Sequence, residues 1–150
     1  MNKLKIYLAG KMSGLSHGEM INWRIQISEK LKNAAIFSEC YLNIINPVDY
    51  YNFEKTSHQS EKEVKEFDLK HVATSDIIIV NLNGLNTSDG TKYEISQASR
   101  NYNIPTIAFG DKNLYDELHP WIKDDITRVE EDMDSTVRYI SNFYMMWKEE

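Results

Sequence analysis

Asp89, Gly90, Thr91 and Glu94 stand together in "NLNGLNTSDGTKYEISQA" (81–98), directly after the apolar run "DIIIV". The run reads as a buried strand and the segment beyond it as the start of a helix. Two carboxyls five residues apart therefore cross from a strand's end into a helix, a placement suited to acid–base or nucleophilic work. The local alternative is plain: Asp89 caps the helix, and Glu94 is a solvated or dipole-favoured residue of its first turns. Asp68 is a third carboxyl, set between Phe67 and Leu69 at a helix's apolar border and eight residues before Asp76. It is equally well explained as a half-exposed side chain. Tyr7 lies in the middle of the first apolar segment. Its hydroxyl could hold a carboxylate at a sheet's edge, or be an ordinary core tyrosine with a satisfied hydroxyl.

The elements that must position these residues follow from periodicity. "LKIYLAG" (4–10) reads as a strand ending at a glycine. Residues 16–34 carry Met20, Trp23, Ile27 and Leu31 at helical spacing, which makes Trp23 a core residue. A second strand spans 41–47 and stops at Pro47. A helix over 61–75 places Val64, Phe67, Leu69 and Val72 near one face. The continuous apolar strand 76–82 is the kind covered on both faces. A helix over 91–102, a strand over 104–110, a short strand within 126–131 and a closing helix over 133–150 complete the chain. Such alternation predicts an α/β three-layer sandwich: a mostly parallel sheet of about five strands with helices on both faces, Rossmann- or flavodoxin-like. Ligands in such sheets gather at the strands' carboxyl ends, here after Gly10, Pro47, Leu82 and Gly110. The polar stretch 51–63 reads as a mobile loop.

Bulk properties narrow the function. A chain of 150 residues is most simply one domain, 1–150, and it carries 41 % apolar and 27 % charged residues. A net charge of −6 argues against a general nucleic-acid binder, though not against a small nucleotide ligand. The single Cys40 excludes an internal disulfide framework and fits a reducing cytoplasm. No secretory leader or membrane-spanning run is expected. The loop "YLAGKMSG" has neither the G-x-G-x-x-G fingerprint nor a G-K-[ST] phosphate loop. His17, His58, His71 and His119 lack zinc-site spacing, so no metal is expected.

"KIYLAGKMSG", "NP", "DLKHVATSDIIIVNL" and "DGTKYEISQA", in that order, resemble the nucleoside 2-deoxyribosyltransferases and their relatives, the nucleotide N-glycosidases. The resemblance covers most of the chain, and "DGTKYE" is its most specific segment. It implies an enzyme without a cofactor that breaks the N-glycosidic bond of a nucleoside, with Glu94 as nucleophile forming a covalent glycosyl–enzyme intermediate. It implies that Asp68 exchanges a proton with the base, that Asp89 binds sugar hydroxyls and that Tyr7 orients Glu94. The base is then a partner of the site, as donor or acceptor, and water in its place would make the protein a hydrolase. A sensor that binds nucleotides without turnover is the alternative of a different class. An acid needs a raised pKa and a nucleophile an ionised state, so Asp68 is expected to be the more desolvated carboxyl.

Gly10, Ser13, Gly90 and Thr91 are expected to contact substrate through the two loops. Lys11 and Arg24 are candidates for a 5′-phosphate, against a solvated lysine and a surface arginine. Thr91 and Lys92, where phosphate-handling relatives have serines, favour a free nucleoside. The family also implies a homo-oligomer, with His119 or Trp121 reaching a neighbouring subunit's site and the aromatic, Met-rich C-terminal helix in the contact.

Overall fold

The computed structural model describes residues 2–51 and 54–146. Residues 52–53 of the expected loop and 147–150 of the expected last helix lie outside the described residues. Strand β1 (Asn2–Ala9) leads to helix α1 (His17–Ser38), β2 (Cys40–Ile45), α2 (Glu61–Ala73) and β3 (Ile77–Asn81). A 3₁₀ turn (Leu85–Thr87) precedes α3 (Asp89–Asn101), and β4 (Thr106–Phe109), α4 (Lys112–Asp116), α5 (Pro120–Asp124), β5 (Arg128–Glu130) and α6 (Met133–Ile140) follow. The five strands form one sheet in the order β2-β1-β3-β4-β5, and every pair is parallel.

Period-2 alternation along the central strands divides the core. Leu4, Ile6 and Leu8 of β1 and Ile77 and Ile79 of β3 face one way and pack with Ile27 and Leu31 of α1 and Val137 and Ile140 of α6. Tyr7, Ala9, Ile78 and Val80 face the other way and pack with Val72 of α2 and Ile95 and Ala98 of α3. Helices thus cover both faces, as the alternation predicted. Tyr7 is placed on the α2/α3 face, the side that carries Asp68 and Glu94.

Helix ends obey local chemistry. Ser16 and Ser60 each cap a helix through a capping box, with Glu19 and Glu63 as reciprocal partners. Four details depart from expectation. Helices α4 and α5 are single short turns with no periodic signature. The closing helix leaves α geometry at Ser141 and runs on as a π-helical turn, Ser141–Met145. On α2 only Val72 is buried, and Phe67 is 46 % exposed, because the helix presents polar groups to a cleft rather than a full apolar stripe. On α1 the buried positions are Arg24, Ile27, Leu31 and Ala35, so an arginine takes an inward place at helical spacing. Among the described residues no helix is long and apolar enough to cross a membrane.

Candidate active site

The loop after β1, the wall of α2 and the first turns of α3 enclose a cavity of about 860 Å³. It opens at the carboxyl edge of the sheet, where the strand order predicts a ligand. Gly10, Ser13, Asp68, Asp89, Gly90, Thr91 and Glu94 all line it. Tyr7 lies behind the lining, wholly buried, close enough to Glu94, Asp68 and Tyr50 to feel all three.

Glu94 is one turn inside α3, and its side chain turns inward. Its Oε2 is shut off from solvent and has no hydrogen-bond partner. Burial pushes its carboxyl up to about 8 from an ordinary 4.5. The Tyr7 hydroxyl and the Arg24 cation pull it down, while the negative charge of Asp68 adds to the rise. The Tyr7 hydroxyl faces Glu94 off the geometry of a formed hydrogen bond, so the two interact without being locked together. Burial, then the charges of Glu94 and Asp68, push Tyr7 far above its ordinary value. It therefore stays protonated, with a proton to donate.

Asp68 has a different environment. Its Oδ1 accepts from the Tyr50 hydroxyl at 2.5 Å and from the Tyr51 hydroxyl at 2.8 Å. Burial raises its pKa, and the two phenols, His71 and Arg24 partly offset that rise. The Tyr50 ring in turn stacks on His71 at 5.1 Å and meets Phe67 and Tyr51 edge-on. The expectation that Asp68 is the more desolvated carboxyl is therefore wrong. Glu94, against the buried β1 face, is raised further, because Asp68 sits among donors that compensate its charge.

The local alternatives for the α3 carboxyls also fail. The cap of α3 is Ser88, whose hydroxyl accepts from Thr91 N. Asp89 is free of that duty, and its side chain is fully exposed, with Lys92 Nζ at 3.5 Å. The Thr91 hydroxyl is 2.7 Å from Ser88 Oγ, so it braces the cap at the cavity's lining. Gly90 has open space where a side chain would stand, so its backbone is approachable from the cavity. Gly10 lines the cavity, and packing also requires a glycine there, since a Cβ would lie 2.6 Å from the Trp23 ring.

Arg24 is neither a surface charge nor part of the cavity wall. It is fully buried, lies 4.5 Å from the Trp23 ring centroid, and donates to Met20 O at 2.5 Å and Gly10 O at 3.2 Å. Burial lowers its pKa to about 10, opposed by Tyr7, Glu94, Tyr50 and Asp49. Lys11 does line the cavity, and its Nζ donates to Thr87 Oγ1 at 2.9 Å. His119 does not line it. Its ring accepts from Trp121 N as the cap of α5, and both residues are exposed.

Tyr50 and Tyr51 are the site residues that sequence reasoning missed. They follow β2 at the carboxyl edge, immediately after the "NPVD" stop, one of the four places where a ligand was expected. Their position was the available signal; the polar character of the stretch from Tyr51 onward masked it.

No protein-family model matches the sequence, and no curated protein matches it. Solved structures do share its fold. A conserved protein from Enterococcus faecalis V583 is similar at a TM-score of 0.72 and 18 % identity, over 93 % of this chain and 98 % of that one. A 2-deoxyribosyltransferase from Bacillus psychrosaccharolyticus is similar at 0.58 and 19 % identity, over 90 % and 91 %. A CMP N-glycosidase from Clostridium botulinum superposes at 0.49 and 12 % identity, over 93 % and 99 %. The first two share this chain's fold along nearly the whole of its length.

Proposed function

We propose that this chain is an enzyme of nucleoside N-glycosidic bonds, a 2-deoxyribosyltransferase in which Glu94 carries the sugar between two bases. The observation that supports it most is the pairing of two unlike carboxyls across one cavity. Glu94 has a buried, unpartnered oxygen, and Asp68 has one oxygen saturated by phenols and one left over. Cleavage of the bond develops positive charge at C1′, and a carboxylate on one face stabilises and then captures it. Asp68 Oδ2 faces the base and trades a hydrogen bond or proton with it. Tyr7 orients Glu94, and Asp89 with the Gly90 backbone meets the sugar hydroxyls. The likeness in fold to a deoxyribosyltransferase favours transfer as the fate of the intermediate.

A nucleoside is favoured over its 5′-monophosphate. The charged described residues lining the cavity are Lys11 and the carboxyls of Glu61, Asp68, Asp89 and Glu94, and Lys11 is already held by Thr87. A phosphate dianion meets net repulsion there.

The protein acts as a homo-oligomer in this reading. Ile36, Phe37 and Phe143 are 74 %, 91 % and 62 % exposed, an apolar supply at the end of α1 and after α6 that an interface would bury. Sedimentation velocity checks it, with a monomer as the contrary result. His119 then belongs to a neighbour's site or to none.

The deciding assay incubates deoxynucleosides and their monophosphates with and without a second free base, beside Glu94→Ala. New nucleoside formed only with the acceptor, and lost in Glu94→Ala, establishes transfer. Free sugar regardless of acceptor means hydrolysis, and binding with no turnover of any substrate means a sensor.

A further inference from the structure

The cavity's charge and its aromatic flank are mismatched to a neutral base. Four carboxyls face one engaged ammonium, and the buried cation behind the wall, Arg24, donates to Gly10 O and Met20 O rather than into the cavity. A second, independent feature points to a ligand: Glu94 Oε2 is buried at the cavity with no partner in the protein. A third lies on the α2 side. Tyr51 lines both this cavity and an adjoining one of about 380 Å³, which Tyr50 and Phe67 also line. Aromatic faces next to a carboxylate form the environment that binds organic cations.

Asp68 sharpens the point. Two phenol protons on Oδ1 occupy one of its oxygens and offset part of the rise that burial gives, and a neutral base still leaves only with a proton or hydrogen bond supplied to it. A base that already carries a fixed positive charge needs no proton.

Resting on the N-glycosidic reading above, we propose that the preferred substrate class is cationic N-glycosides, nucleosides whose base is quaternised on the ring as in an N-alkylated purine or a pyridinium. The base sits in the cavity beside Asp68, against Tyr51 where the two cavities adjoin, and the sugar sits over Glu94. A Glu94 carboxylate oxygen forms a bond to C1′ as the C1′–N bond breaks. The electron pair of the broken bond goes to the ring nitrogen and cancels its charge. The base departs neutral, and the sugar remains as a neutral ester of Glu94. Water then cleaves the ester to free sugar, the Glu94 carboxylate and one proton released to solvent; a neutral acceptor base in its place would release its ring proton instead.

Cationic nucleosides are intrinsically labile, so rate alone is no test, and binding must be read separately. Calorimetry on Glu94→Gln, whose turnover is too slow to disturb a titration, compares 7-methyl-2′-deoxyguanosine with 2′-deoxyguanosine. The expected result is at least about tenfold tighter binding of the methylated cation. That preference should shrink when Asp68→Asn is added and when ionic strength rises. Equal or weaker binding of the cation overturns the inference. If the native enzyme still releases bases from neutral deoxynucleosides in that case, the N-glycosidic reading stands alone. Release of no base from any nucleoside by the native enzyme overturns both.

Discussion

Glu94 and Asp68 sit on neighbouring helices, α3 and α2, and open on one cavity, yet the protein treats them in opposite ways. Asp68 receives two phenol donors on a single oxygen. Glu94 receives a buried tyrosine hydroxyl that approaches without closing a hydrogen bond, and one of its oxygens is left bare. Two carboxyls in one cavity would otherwise titrate as near equals that repel each other. Unequal donor supply separates them, and the cost falls on the one without donors. Glu94 thus keeps its proton up to about pH 8 in the empty site, and its ionised form is a high-energy one that a positive charge at C1′ relieves, which is useful in a nucleophile and harmful to stability.

The comparison breaks most visibly if that nucleophile is removed. Glu94→Gln should reduce turnover at least about 10³-fold in the base-release assay. It should also stabilise the fold, with a sign fixed by linkage. The folded value of about 8 lies above the ordinary 4.5. Between those pH values the folded chain holds a proton that the unfolded chain has released, so native stability falls as pH rises through that window and levels off above it. In Glu94→Gln this slope disappears, and at pH near 8 the variant should exceed the native protein by roughly 2–4 kcal/mol in chemical denaturation. Parallel pH–stability curves for the two proteins would contradict the assignment.

Asp68→Asn tests the coupling between the carboxyls. Activity on neutral nucleosides should fall about 10²-fold. Because the Asp68 charge is one cause of the Glu94 rise, the ascending limb of kcat/KM against pH should move to lower pH in the variant. Tyr7→Phe moves the same limb the other way, since the hydroxyl it deletes holds Glu94 down. A shift in the same direction for both variants would sink the electrostatic account of the pair.

How much of this was readable beforehand depends on the kind of signal. The sheet, its parallel order and the two-sided core follow from continuous apolar strands alternating with helical patterns, and the structure carries all five expected strands. Asp68, Asp89 and Glu94 reach one cavity because each lies at a strand's carboxyl end or on the helix beside it. Arg24 was misread because helical spacing was counted on apolar residues alone. A 22-residue helix over a sheet has an inward stripe, and this arginine occupies it because the bare carbonyl of Gly10 and the Trp23 ring accept it there. The order of desolvation was misread because the phenols on Asp68 come from a segment whose composition shows only polarity. Long-range donors of this kind leave no periodic trace.

The finest test separates the two phenols. Tyr50 makes the shorter bond to Asp68, is stacked on His71 and is the more deeply raised of the two, with burial as the first cause in both. Tyr51 is set at the cavity's edge and shares its hydroxyl with the Val64 carbonyl at 3.4 Å. Either substitution by phenylalanine keeps the ring and removes one donor, so Asp68 should protonate more readily in both variants. Tyr50→Phe should show the larger rise in the Asp68 titration, followed by carboxyl-edited NMR, and a loss of turnover of about tenfold. Tyr51→Phe should change turnover about threefold or less, because Tyr50 still occupies the same oxygen. Equal effects would mean that the two donors act as one unit, and the asymmetry between Asp68 and Glu94 would then rest on the number of donors rather than on how each is held.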